Sequence, residues 1–243
     1  MSVHLTAQAF SEKLLALALP EEQQKIQRYF RSGKGEYGEG DVFAGIKMGQ
    51  VFTLAKIHTA MPVSELELLL ENPVHEVRAG AMSIMDKAGR DNKISDTRRQ
   101  ELYNLYLRRH DRINNWDLVD LGAQFVVGRY LFPRSRDILY SLARSASIWE
   151  RRTAIVSTAY FIRQGEVTDT FAIAALLLHD SEDLIHKAVG GWIREAGKKT
   201  HRPQLLSFLD AHAATMPRTM LRYAIEHLDD ADRKRYMSLK HTT

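Results

Sequence analysis

Trp116 and Asp120 stand four residues apart in NNWDLVDLGA. On a helix that spacing puts an indole and a carboxylate on one side. At about 100° per residue, Leu118, Leu121, Gly122, Phe125 and Val126 gather on the other, apolar side, with the small Ala123 beside the Trp–Asp pair. A tryptophan off the core face forgoes hydrophobic burial unless something packs on it. An aromatic face beside a carboxylate suits a cationic or sugar-like ligand. Equally, a neighbouring helix covers Trp116 and Asp120 caps it, since helices in stacked arrays often have two covered faces. Arg152 falls inside the apolar stripe Ile148, Ile155, Ala159 and Ile162. A guanidinium there needs an oxyanion, either Asp120 or a phosphate, or must reach out to solvent.

Other chemistries are poorly served. Asp117 and Asp120 invite a paired-carboxylate reading, but they diverge by about 60° on the helix, and Asp117 suits the first turn. With no cysteine, thiolate nucleophiles, thiolate metal sites and disulfides are excluded. The histidines are scattered, and His179 and His186 lack a metal-ligand pattern. No metal or cofactor is expected. Gly33 to Gly40, GKGEYGEG, has the glycine density of a phosphate loop without its spacing, and reads as a flexible connector.

The elements that must position these residues are helices. Apolar residues recur at helical spacing and strand-like alternation is nearly absent. The pattern predicts helices over 6–19, 21–32, 48–60, 63–70, 74–89, 95–109, 115–128, 135–146, 148–164, 168–178, 181–198, 202–214 and 217–228, with a weaker one over 230–240. Asn72 before Pro73, Asn115 and Pro217 read as helix starts. Arg152, Lys187 and Arg222 are spaced by 35 and 35 residues; stepping back reaches Asp117 and then Arg78. A period of that size means one helix pair per unit, stacked into a solenoid. Four of these five positions are cationic, so stacking would align them as a basic stripe. The expectation is a single all-α domain over 1–243, with a ragged tail from about 236 to 243.

The bulk numbers agree. The 243 residues carry 44% hydrophobic and 26% charged side chains, an ordinary globular balance. A net charge of +4 permits a polyanionic partner without requiring one. The N-terminus lacks a basic start followed by an apolar signal core, and Leu14 to Leu19 is too short to cross a bilayer. A cytoplasmic protein with no membrane association is expected.

NNWDLVDLGA, IWERRTAIVSTAYFIRQGE, DLIHKAVGGWIREAGKK and HAATMPRTMLRYAIEHL together resemble the bacterial DNA alkylation repair family with HEAT-like repeats. VFAGIKMGQVFTLAK and NPVHEVRAGAMSIM resemble its N-terminal blocks, so the likeness runs from about Tyr29 to Leu228. The resemblance implies a HEAT-like superhelix with a concave basic surface for duplex DNA. It implies a monomeric, monofunctional glycosylase that excises cationic alkylated purines, N3-methyladenine and N7-methylguanine, without enclosing the base. It implies that Trp116, Asp120 and Arg152 form the catalytic set, with Asp120 the carboxylate. The resemblance matches Tyr29 to an aromatic near the lesion and Arg194 to a DNA-contacting arginine; with Lys47 and the stripe cations Arg78, Lys187 and Arg222 they make the expected DNA-binding set. The alternative is a non-catalytic member that binds distorted or branched DNA. A third reading is a protein-binding solenoid, because fold does not fix function. One block departs from the family. KAVGGW puts Gly191 where a tryptophan usually stands, and Trp192 follows, sharing a face with Ile185, Ala188 and Ala196 and so expected in the core. GIKMGQ also departs from a more usual proline-containing segment.

Overall fold

The computed structural model describes residues 5–198 and 201–239. Among them all regular structure is helical apart from an isolated parallel bridge between Val42 and Val74. Packing divides the chain after Tyr130 into two compact units, where periodicity alone drew one domain. In helical repeats each element touches mainly its sequence neighbours, so such a division breaks few contacts.

The first unit holds α1 (Ala7–Leu15), α2 (Pro20–Tyr29), α3 (Met48–Lys56), α4 (Val63–Leu70), α5 (His75–Arg90), α6 (Asp96–Arg108) and α7 (Trp116–Gly122), which runs on as a π-helical stretch, Ala123–Gly128. The starts follow from local chemistry. Thr6, Ser95 and Asn115 each accept a backbone N–H at a helix N-terminus, and Pro20 occupies the first turn of α2. α5 is the central element, buried along most of its length against α3, α4 and α7. Gly122 lets α7 approach: a Cβ there would stand 2.7 Å from the Tyr106 ring and would also strike Met82.

The second unit holds α8 (Asp137–Leu142), α9 (Ile148–Arg163), α10 (Thr168–Leu176), α11 (Asp183–Ala196), α12 (Arg202–His212), α13 (Arg218–Ala224) and α14 (Asp230–Ser238). α9, α11 and α13 pack in series, each on the next. Gly190 carries the α11–α13 contact, since a Cβ there would stand 2.7 Å from Tyr223 Cβ.

The helical spacing therefore placed the elements well, with some differences. α5 begins at His75, and Asn72 instead accepts the Val74 N–H at 2.9 Å in a turn before it. Trp192 is only half-buried; Ile193 takes the core place beside Ile185, Val189 and Ala196. The expected tail is helical through Ser238, and residues 240–243 lie outside the described ones. No described helix is long and apolar enough to cross a membrane.

Candidate active site and nucleic-acid interface

In the first unit α2, α3 and α7 enclose a cleft of about 640 Å³. Ile26, Tyr29, Phe30, Met48, Phe52, Trp116 and Leu121 give it apolar walls, and Lys25, Asp117 and Asp120 are its charged lining. Trp116 stacks on Phe30, with ring centroids 5.4 Å apart and planes 21° from parallel. Tyr29 meets Trp116 edge-on at 5.8 Å and is itself 66% exposed. Asn115 aims this side: its Oδ1 accepts the Trp116 N–H at 2.8 Å, starting α7 with the indole in the first turn. One turn later Asp120 stands exposed beside the cleft. The Trp116–Asp120 pair is thus a wall and a carboxylate of one concavity, with Phe30 covering one face of the indole.

Behind the wall lies a buried ionic network. Asp117 Oδ1 accepts the Leu118 N–H at 2.8 Å, and Oδ2 lies 2.8 Å from His75 Nε2. His75 Nδ1 faces Asp41 Oδ2 at 3.6 Å, an ion pair too long for a hydrogen bond. Asp41 also receives Arg78 at 2.6 Å and the Asn115 amide at 2.7 Å. Burial disfavours the imidazolium, but the hydrogen bond and charge of Asp117, then the nearby Asp41 carboxylate, outweigh it and lift the His75 pKa to about 9. Burial likewise opposes the Asp41 carboxylate, and His75, Asn115 and Arg78 overcome that and lower its pKa. Asp117 is therefore committed to structure, and Asp120 is the carboxylate facing solvent.

Residues 10–228 match the family of the DNA alkylation repair enzyme. The chain belongs to that family. Its structure is similar to the solved structure of a predicted DNA alkylation repair enzyme from Enterococcus faecalis, at 17% sequence identity and a TM-score of 0.66, over 88% of this chain and 97% of that one. At that identity the likeness speaks to the fold. No curated protein matches the chain.

For a DNA alkylation repair protein the cations matter next. Lys47 is exposed at the start of α3, 3.8 Å from Glu22. In the second unit Lys187 is exposed and pairs Asp183 at 2.7 Å, Arg194 pairs Glu226 and Glu195, and Arg222 is exposed on α13. Arg152 is buried to 8% exposure and donates to the Leu184 carbonyl at 2.9 Å. The Cβ position of Gly191 opens onto empty space.

Arg78 departs from expectation. It is 3% exposed and ion-paired to Asp41, so it is not part of a solvent-facing stripe. The reason is its phase. Arg78 and Arg151 are each the fourth residue of their helix, and each donates to the two carbonyls five and six positions back. Each also holds a buried aspartate, Asp41 or Asp180. The repeat counterpart of Arg78 is thus Arg151, one residue before the stripe position.

Sequence reasoning missed Phe30, Lys25, Met48 and Phe52, which reach the cleft from helices distant in sequence. It also missed the His75–Asp41 pairing. The charged and polar clusters in HEVR and NNWD were the available signal, but nothing local in Asp41 announces its partners.

Proposed function

We propose that this protein is a monofunctional DNA glycosylase. It hydrolyses the N-glycosidic bond of cationic alkylated purines, N3-methyladenine and N7-methylguanine, in duplex DNA. The observation that carries the reading is the solvent-facing Asp120 carboxylate beside the Trp116–Tyr29 wall.

Alkylation at a ring nitrogen makes the purine cationic and already a good leaving group, so little acid catalysis is needed. What remains is positive charge developing on the deoxyribose as the bond breaks. Asp120 stabilises that charge and orients the attacking water. Trp116 and Tyr29 offer aromatic faces to the cationic nucleotide. Asp117, held by His75, is not available as a second catalytic carboxylate. Lys25 lines the cleft, but its bond to Glu22 raises its pKa, so it is an ammonium at neutral pH and no Schiff-base nucleophile. Lyase activity is therefore not part of this reading. Lys47, Lys187, Arg194 and Arg222 contribute phosphate contacts, exchanging their carboxylate partners for the duplex where they have them.

Gly191 favours a second reading, a non-catalytic binder of distorted DNA, because space stands open where the family block carries tryptophan. Mass spectrometry of the bases released from methylated duplex DNA separates the two. Methylated purines in the supernatant are expected; junction binding with no released base would favour the second reading.

A further inference from the structure

Three basic residues in succession, Arg233, Lys234 and Arg235, stand in α14, beyond the segment that matches the family. At about 100° per residue they cannot all face one way. The contacts of α14 sort them. Tyr236 is fully buried and its hydroxyl donates to Asp210 at 2.8 Å, while Arg235 donates to the same carboxylate at 2.7 Å, so this side is held against α12. Arg218, which opens α13, holds the C-terminal end by donating to the Met237 carbonyl at 2.6 Å. That satisfies one of the carbonyls a helix end leaves without an internal partner. α14 is therefore fixed in place.

Its other side forms a groove of about 380 Å³ with the end of α13 and the turn after it. Ile225 and Met237 are the apolar part of the lining, and Arg222, Glu226, Arg233 and Lys234 are the charged part. The one carboxylate is already engaged, since Glu226 pairs with Arg194, and Arg233 is neutralised by Asp230. Arg222 and Lys234 differ. Both are exposed, and among the described residues neither has a carboxylate partner. The other arginines of this helix pair's surroundings do: Arg202 faces Asp229 and Asp232, and Arg235 faces Asp210. Two uncompensated cations lining one concavity raise its potential, and apolar walls focus the field. Such a groove suits an anion carrying repeated charges. A guanidinium meets a phosphate as a two-pronged donor, and an ammonium meets it as a point charge.

We propose that the α13–α14 groove is a phosphate-binding site for the backbone of duplex DNA, in which Lys234 joins Arg222 and Arg233 exchanges Asp230 for a phosphate. This rests on the reading of the protein as a duplex-binding repair enzyme, and it adds to the footprint a helix that the repeat positions do not include. The groove contributes to holding the duplex and not to breaking the glycosidic bond. Its phosphate contacts position DNA without reading sequence. They release counterions, so their contribution weakens as salt rises.

Lys234→Ala removes one of the two unpaired charges from an exposed position. Affinity for a fluorescent duplex is read by anisotropy across a salt series, with Tm and single-turnover base release at saturating protein measured alongside. Lys234→Ala is expected to reduce the slope of log K against log salt by about 0.9, and Lys234→Ala combined with Arg222→Ala by about 1.8. Tm and saturating release are expected to stay at wild-type values. Arg235→Ala changes the net charge equally from the α12 side of the same helix, and is expected to leave the slope unchanged. A wild-type slope in Lys234→Ala would overturn the proposal. Equal losses of slope in Lys234→Ala and Arg235→Ala would also overturn it, because net charge alone would then account for the effect. If the wild type released no base while Lys234→Ala alone lost slope, the glycosylase reading would fall and the groove would stand. Base release with a slope insensitive to Lys234 would do the reverse.

Discussion

The His75 imidazole is fastened to Asp117 at 2.8 Å, directly behind the first turn that carries Trp116. The contact joins α5 to α7 and commits one of the two aspartates of WDLVD to architecture. The other, Asp120, is left facing solvent.

This pairing makes stability pH-dependent on the alkaline side. His75 has a folded pKa of about 9 against an ordinary value of 6.5. Its contribution is complete below pH 6.5 and is lost as the pH rises through about 9. Urea unfolding between pH 6 and 10 should show the wild type losing its advantage over His75→Gln across that range. At pH 6 the substitution should cost about 3–5 kcal/mol, because it strands buried carboxylates. A pH-independent difference between the two proteins would be inconsistent with a charged His75.

Arg78 should behave as a structural residue. Arg78→Met is expected to lower unfolding free energy by about 3–5 kcal/mol, since Asp41 stays buried without its partner. The salt dependence of duplex binding by the folded variant should be unchanged. Calorimetry and a salt titration check the two halves, and a shallower salt slope would restore Arg78 to the DNA-contacting set.

The sequence exposed its helices because apolar residues at helical spacing are a local signal. It exposed the Trp116–Asp120 pairing for the same reason, one helix sufficing to place both. The one-residue phase difference between Arg78 and the stripe was not legible, since a spacing of 35 or 39 residues does not fix which way a side chain turns. Nor was Trp192 legible: the stripe containing Ile185 and Ala188 accommodates either Trp192 or Ile193, and packing selects Ile193. The anchoring of the segment from Gly33 to Gly40 was hidden behind its glycines. Composition reports chain flexibility, while the anchoring comes from Glu36, Glu39 and a close approach at Gly38.

Arg222, exposed on α13, should report on phosphate binding. Neutralising one contacting cation is expected to reduce the slope of log K against log salt by about 0.9. Arg222→Ala is therefore expected to bind duplex DNA less tightly at low salt, with the difference closing as salt rises. Parallel salt plots for the two proteins would remove Arg222 from the interface.

Trp116 should matter more to turnover than to folding. Trp116→Ala removes the stacked partner of Phe30 and is expected to cost about 1 kcal/mol of stability. Losing its face against a cationic nucleotide should lower single-turnover base release about tenfold. Release rates that track only the fraction of folded protein would assign Trp116 a packing role alone.

Asp120 carries the central claim. Asp120→Asn preserves shape and removes the charge placed to meet the developing cation. Base release from methylated duplex DNA, quantified by mass spectrometry for wild type and Asp120→Asn with duplex affinity measured alongside, tests it most directly. Methylated purines released by the wild type, a loss of about 10²–10³-fold in the variant, and retained affinity are expected. Equal release by the two proteins would contradict it.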